Sequence, residues 1–389
     1  MPETQIFSDY GLIGENLEFK KNISIELNEE GKIRKLSFEN IGKFAEITKK
    51  KTNLLLMPGL INSHIHIGDS FAKEAGFNKN LIDVVAPPEG LKHKLLKSTP
   101  VGIILEGIFK ASLEMVSNGI SFFIDFRENG LDGINLLKNA LKKSPINYLI
   151  LGRFANIREA ELVYNAADGF GFASYKHISS RTKDKLKELK KSQKKIIACH
   201  DAEYTRDEFI FKEIIEDNLI DVIIHGTKYI KEDLLEIKKK NISLVICPRC
   251  NGYFGVGFPP INEILDLDIP ICLGTDNVMA NNLNLFEEMR YLHQISQVLR
   301  RDHNNPLITA KNLLKMVTIN AAKNFGLGNE IGSIAEGKFA DFFMIDLNEP
   351  NFYTNKVDHE NIYPLIVHRT KSENIKRLYI QGELIFERT

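Results

Sequence analysis

Residues 54–66, LLLMPGLINSHIH, set an almost unbroken apolar run directly against two histidines, His64 and His66. Seven more runs of this kind follow: GISFFIDF (119–126), INYLILGRF (146–154), GFGFAS (169–174), KKIIACH (194–200), IDVIIHG (220–226), ISLVICP (242–248) and IPICLGTD (269–276). Their hydrophobicity is continuous rather than alternating, which marks strands covered on both faces, as in a parallel sheet. Charged segments with helical spacing lie between them, at 101–117, 131–143, 181–192, 206–217, 230–240 and 281–300. Eight βα units in a row predict an α/β fold built as a closed (β/α)8 barrel over residues 54–331.

The flanks read differently. Residues 1–53 and 332–389 hold short strand-like pieces, KNISIELN, GKIRKLSF, FADFFMIDL and IKRLYIQGELIFER, between turns rich in Gly, Asn and Lys, with little helical period. The two flanks are expected to pair into one small sheet domain, and a further helix at 308–324 links the barrel to the second flank.

Composition narrows the partners. The 389 residues carry 51 Lys+Arg against 51 Asp+Glu, so the chain lacks the basic excess that draws proteins to nucleic acid or anionic lipid. The first residues, MPETQIFSDYGLIGEN, have neither a basic nor an apolar leader region, and no apolar stretch approaches membrane-spanning length. A cytoplasmic protein acting on a small molecule is expected, with a homo-oligomer left open. Cys199, Cys247, Cys250 and Cys272 lie in apolar segments and are expected as reduced thiols.

In such a barrel the active site lies at the carboxyl ends of the strands. The residues there are metal-ligand types: His64 and His66, then His200, His225 and Asp276. Residues i and i+2 of a strand share a face, so two imidazoles at that spacing can grip one ion. An isolated His-x-His is weak; four His and an Asp at strand ends together predict a metal site. Imidazoles and a carboxylate suit one divalent cation, Zn²⁺ first, with Fe²⁺ or Mn²⁺ as alternatives, and an open position leaves room for a water whose pKa the metal lowers. Glu203, three residues after His200, could move a proton between that water and a leaving nitrogen. It could equally be an N-cap or first-turn acid of the helix that follows.

The segments MPGLINSHIH, ACHDAE, IIHGTKY, CPRCN, LGTDNVMANNLNLFEEMR and GSIAEGKFADFFMIDL resemble, in order, signature blocks of the amidohydrolase superfamily, in the branch of the cytosine, guanine and adenosine-type deaminases and the chlorohydrolases. The resemblance covers almost the whole chain and implies a (β/α)8 barrel with a β-sandwich built from both termini. It implies that His64, His66, His200 and Asp276 bind the metal, and that Glu203 shuttles the proton. His225 would orient the activated water and polarise the substrate, and Asp276 would take the water's proton. Two features depart from the pattern. Cys250-Asn251 stands where a Ser-Asn or Thr-Asn pair is common, and Cys247-x-x-Cys250 also admits a redox reading. Lys176, just past the fourth strand, lies near where binuclear relatives carry a carboxylated lysine, whereas His-x-x-Glu after the fifth strand favours a single metal.

Arg127, Arg153 and Arg249 occupy further strand ends and, with His177, are candidate contacts for an anionic group on the substrate. Ordinary ion pairs, with Glu128 and nearby acids, explain the arginines as well, and a surface position explains His177. The connection 67–99 is long enough for a lid. The expected activity is hydrolysis of a non-peptide C–N bond, as a deaminase releasing ammonia from a heterocyclic amine such as a nucleobase or nucleoside. A cyclic amide hydrolase of the imidazolonepropionase kind and a non-catalytic binding barrel are the alternatives.

Overall fold

The computed structural model describes residues 5–38, 52–154, 156–192, 195–299 and 308–388. Part of the first flank (39–51), the first residue of the strand expected at 194–200 and the last residue of the helix expected at 281–300 lie outside the described residues. Eight strand positions form one parallel sheet in chain order. They are β5 (Leu60–His66), β6 (Ile120–Arg127), β7 (Asn147–Gly152), β8 (Gly169–Phe172), β9 (Ile196–Asp201), β10 (Val222–His225), β11 (Ser243–Ile246) and an eighth strand in two pieces, β12 (Ile271–Leu273) and β13 (Asp276–Asn277). The first piece pairs with β11 and the second with β5, through Asp276 opposite Ile65 and Asn277 opposite His66. The sheet therefore closes on itself, and the expected barrel is present.

Two clusters of buried side chains explain the continuous apolar runs. Ile197, Cys199, Ile223, Leu244, Ile246, Ile271 and Leu273 pack outward with the helices, while the alternating residues Ala198, Val222, Ile224, Val245 and Cys272 form a second cluster with Ile61, Phe122, Ile124 and Phe126. Each strand thus buries both faces, one against the helical layer and one inside the barrel.

The strand expected at 54–66 is two strands, and the barrel begins later than 54. β4 (Leu54–Pro58) belongs to a seven-stranded sheet with β1 (Gln5–Ile13), β2 (Glu18–Leu27), β3 (Ile33–Phe38), β14 (Phe342–Asp346), β15 (Ile375–Ile380) and β16 (Glu383–Glu387), in the order β16-β15-β14-β4-β1-β2-β3. The switch occurs at Pro58-Gly59. Proline brings no N–H to a ladder, the Gly59 N–H donates to Asp341 O at 2.9 Å, and a Cβ at 59 would lie 2.2 Å from Ser121 Oγ. The close approach requires glycine there and lets one residue join the two sheets. Both flanks contribute to the seven-stranded sheet, as expected.

Two other elements differ from the sequence reading. The helix expected at 308–324 is two helices, Ala310–Met316 and Ile319–Asn324. The break frees the Val317 carbonyl to accept the Ile61 N–H of β5 at 2.8 Å, and Thr318 Oγ1 caps Leu314 O at 2.7 Å. The second flank also contains a helix, Ile362–Arg369, packed on the barrel helices Leu285–Val298 and Ala310–Met316. No helix among the described residues is long and apolar enough to cross a membrane.

Candidate metal and catalytic centre

The period of two carries from each strand into the barrel mouth. His200 follows Ala198 on the interior face of β9, and Glu128 follows Ile124 and Phe126 on that of β6. In β5 a register irregularity between Asn62 and Ile65 turns His64 and His66 inward while Ile65 packs outward. Asp276 and His225 sit at φ of 61° and 77°, a left-handed backbone that costs a non-glycine residue roughly 1–2 kcal/mol and is tolerated where surrounding structure fixes it.

These elements bring His64, His66, His200, His225, Asp276 and Glu203 together. His64 Nε2 lies 3.3 Å from His200 Nε2, and His66 Nε2 lies 3.4 Å from the same atom. Asp276 Oδ1 is 3.2 Å from His64 Nε2 and 3.6 Å from His66 Nε2. Two of the rings have defined tautomers: Nδ1–H of His66 donates to Phe126 O at 3.1 Å, and Nδ1–H of His200 to Phe172 O at 2.8 Å. Their Nε2 lone pairs therefore converge, an arrangement that repels itself unless a cation lies between. Nitrogens bound at about 2.1 Å in tetrahedral array stand about 3.4 Å apart, which the observed spacing matches. The donor set fits a divalent metal, and orientation of ligand imidazoles through Nδ1–H is the usual supporting arrangement.

Burial keeps His66, His200 and His225 neutral and able to ligate. It pushes His66 down to about 3, with the Lys92 ammonium adding, holds His200 well below the ordinary range, and lowers His225 to about 4. Burial would raise Asp276, but its hydrogen bond with His64 outweighs burial and holds the carboxyl well below the usual carboxylate range. Glu203 moves the other way: burial, with the Asp276 charge adding, holds its carboxyl well above the usual carboxylate range. Its Oε2 lies 3.5 Å from His225 Nε2. The N-cap reading of Glu203 does not hold, because the next helix starts at Glu208 and is capped by Asp207; a left-handed turn at Ala202 (φ 50°) precedes the glutamate.

His225 donates Nδ1–H to Asn251 Oδ1 at 3.1 Å, and Asn251 Nδ2 donates to Thr227 Oγ1 at 3.3 Å. Asn251, beside Cys250, thus orients His225. Both Cys247 and Cys250 are fully buried and free, and burial drives their thiols far above the ordinary range, which suppresses the thiolate that redox chemistry needs.

A cavity of about 210 Å³ opens above the centre. Leu81, Ile82, Val85, Ala86 and Pro87 form an apolar wall; Lys92, His93, Arg153 and His177 form a basic one, with Ser174 and Asn277 alongside. Of the sequence candidates for substrate contact, Arg153 and His177 line this space. Arg127 and Arg249 do not. Arg127 lies beneath it, 3% exposed, paired with Glu128 at 2.5 Å and Asp125 at 3.5 Å. Arg249 is turned to the helix Leu285–Val298, where its Nε donates to Glu288 at 2.8 Å and Nη1 pairs with Glu287. The ion-pair explanation thus accounts for both. Lys176 is exposed and absent from the cavity wall, so nothing there supports a bridging lysine. Lys92, His93, Asp69 and Asn277 were not singled out as site residues in the sequence, because they lie on a long connection or past a strand end, where no periodicity assigns a direction.

The profile of the amidohydrolase family matches residues 55–385. The chain belongs to the amidohydrolase family. A protein of Methanothermobacter thermautotrophicus whose name assigns it provisionally to the aminohydrolases is 31% identical over 388 residues, 94% of each chain. A 5-methylthioadenosine/S-adenosylhomocysteine deaminase of Thermoanaerobacter pseudethanolicus is 28% identical over 370 residues, 86% of this chain and 82% of its own length. Among solved structures, guanine deaminase from C. acetobutylicum with bound guanine superposes with a TM-score of 0.81 at 19% identity, covering 98% of this chain and 100% of the other. The zinc-bound adenosine deaminase of Xanthomonas campestris gives the same score at 16% identity, covering 98% and 92%. At those identities the likeness establishes the fold of this amidohydrolase, whose relatives by sequence agree with a hydrolase of C–N bonds.

Proposed function

We propose that the chain is a cytoplasmic, metal-dependent aminohydrolase that releases ammonia from a small heterocyclic amine, of the nucleobase or nucleoside kind. The observation that carries the reading is Glu203, only 16% exposed and with a raised pKa, facing His225 beside the converging Nε2 atoms of His64, His66 and His200. A divalent cation held by those three imidazoles and Asp276, with Zn²⁺ the first choice, supplies Lewis acidity that lowers the pKa of water towards neutrality. Asp276, ionised, accepts a proton at Oδ2, which lies 3.9 Å from His225 Nε2. Glu203 holds a proton at its carboxyl and delivers it to the departing nitrogen. His225, fixed through Asn251, presents Nε2 to both carboxylates and orients the attacked carbon's substituents. Relatives named as 5-methylthioadenosine/S-adenosylhomocysteine deaminase and 5'-deoxyadenosine deaminase support a purine-type amine.

The cavity volume of about 210 Å³ falls below the ~300–1,000 Å³ of drug-sized pockets and suits a ligand of one or two rings. The basic wall selects within that class. Arg153 is half-buried, burial lowers its pKa while the nearby Glu128 charge opposes the shift, its Nε donates to Gly171 O at 3.3 Å, and no carboxylate lies within ion-pair distance of it among the described residues. A guanidinium on the cavity wall with no carboxylate in ion-pair contact is free to meet a ligand anion with a charge-assisted hydrogen bond, which favours a substrate that carries a carboxylate or phosphate as well as the amine. A screen of neutral and anionic purine and pyrimidine amines for ammonia release tests both points. Ammonia from an anionic amine supports the reading, and ring opening without ammonia overturns it in favour of cyclic amide hydrolysis.

A further inference from the structure

Between β5 and the helix Val101–Ser117 the chain carries two short helices, Leu81–Val85, which with Ala86 and Pro87 supplies the apolar cavity wall, and Leu91–Ser98. His93 Nε2 meets Val85 O at 3.1 Å and ties the two together. From the second helix one side chain descends to the metal centre. Lys92 is 3% exposed, and its Nζ lies 2.6 Å from Glu128 Oε1, 3.3 Å from Asn277 Oδ1 and 3.7 Å from Asp69 Oδ2. Each of these groups reaches the ligand set. Glu128 Oε1 is 2.9 Å from His66 Nδ1, Asn277 Nδ2 donates to Asp276 Oδ1 at 3.1 Å, and Asp69 Oδ1 accepts the Met279 N–H just past Asp276 at 3.1 Å. One ammonium therefore joins supports that come from three separate strand ends.

We propose that Lys92 is a positioning residue that couples the seating of the lid segment 81–98 to the metal centre. It holds Glu128 against His66 and Asn277 against Asp276, and it does so only when the lid helix is docked. Glu128 Oε1 pairs with the Lys92 ammonium at 2.6 Å and lies 2.9 Å from the neutral His66 ring without well-aligned hydrogen bonds, so its place depends on the charges around it, Arg127 on one side and Lys92 on the other. Asp69, Asp125 and Glu128 lie close around these two cations, and withdrawing the lysine leaves three buried carboxyls to one guanidinium. Because linkage is reciprocal, a cation that favours the ordered ligand set must also favour the docked lid. A ligand packed on Val85, Ala86 and Pro87 would act on the same element.

The inference rests on the metal centre proposed above, and zinc binding separates the two. Zinc affinity of the full-length protein is measured by chelator competition, and amide hydrogen exchange is followed across 81–98 with and without zinc, in wild type, Lys92→Met and Glu128→Gln. By Coulomb's law alone, loss of a nearby positive charge tightens cation binding; loss of positioning weakens it by ~10-fold or more, the range seen for supporting groups of metal ligands. The expected result is weaker zinc binding in both variants, together with zinc-dependent slowing of exchange at 91–98 in wild type that disappears in Lys92→Met. Unchanged or tighter binding in the variants, or wild-type exchange indifferent to zinc, overturns the coupling while leaving the centre intact. If Lys92→Met does not fold, the wild-type exchange across 91–98 with and without zinc decides. A wild-type chain that takes up no stoichiometric zinc overturns the centre itself.

Discussion

Two residues of the cavity separate chemistry from recognition. Glu203→Gln keeps the shape of the side chain and removes its capacity to carry the transferred proton. The expected loss in kcat is ~10²–10⁴-fold with metal content unchanged, read by steady-state kinetics and elemental analysis on one preparation. Arg153→Met leaves the proton pathway alone and removes a charge-assisted hydrogen bond worth roughly 1.5–3 kcal/mol, so KM for the anionic substrate should rise about 10- to 100-fold while kcat changes little. Equal KM in variant and wild type contradicts the anion reading. Arg249 is the contrast. Its partner Glu288 is fully buried, and removing one member of a buried pair costs roughly 3–5 kcal/mol, so Arg249→Met should lower Tm rather than raise KM. The two arginines look alike in sequence because each ends an apolar run, and only the direction of the side chain distinguishes them.

Strands and their junctions decide how precisely those residues are held. Gly274, between β12 and β13, lies against β5, and a Cβ there would stand 2.7 Å from both His64 Cβ and His64 O. Gly274→Ala must push apart the two strands that close the barrel and carry His64 and Asp276. The expected cost is roughly 1–3 kcal/mol, seen as a lower Tm together with a reduced zinc content; a variant with wild-type zinc content and Tm would contradict this account of the closure. At this scale the sequence was informative where burial is symmetric. The eight apolar runs were legible because parallel strands bury both faces, and their last residues pointed to His64, His66, His200, His225 and Asp276. It was silent where one hydrogen bond overrides a pattern. The helical period across 308–324 runs straight through Val317, and nothing local shows that its carbonyl is needed by Ile61. The strand 54–66 reads as one element because the apolar run does not register a change of sheet at Gly59. Glu128 was open to detection, since it continues the interior series Phe122, Ile124, Phe126, but it reads as an ion-pair partner. Lys92 was not, because its direction depends on how the lid docks.

For the whole molecule, the flanking sheet and the barrel share a pH-dependent joint. Asp341 precedes β14 beside the Gly59 crossing, accepts the Gln381 N–H at 2.6 Å, and is raised to about 7 by burial. Its ordinary value is about 3.9, so between pH 4 and 7 the folded state binds more protons at this site than the unfolded state. The contribution of this site to stability therefore falls as pH rises across that window, by up to ~4 kcal/mol, and levels off above it. Asp341→Asn removes this contribution, and denaturant unfolding at pH 5 and pH 8 should show a smaller loss in the variant than in wild type. Equal losses would contradict the assignment. Overall neutrality, 51 positive against 51 negative residues, describes the surface and not the cavity, where Lys92, Arg153, His93 and His177 gather on one wall.

Glu203 and a metal centre of three imidazoles and Asp276 are proposed to release ammonia, which can be read directly. The direct measurement is ammonia produced per molecule of heterocyclic amine consumed, with zinc-loaded, chelator-stripped and Glu203→Gln protein side by side. One ammonia per product is expected from the zinc-loaded wild type and almost none from the other two. Substrate consumed without ammonia, or equal turnover by the stripped or Glu203→Gln protein, would contradict it.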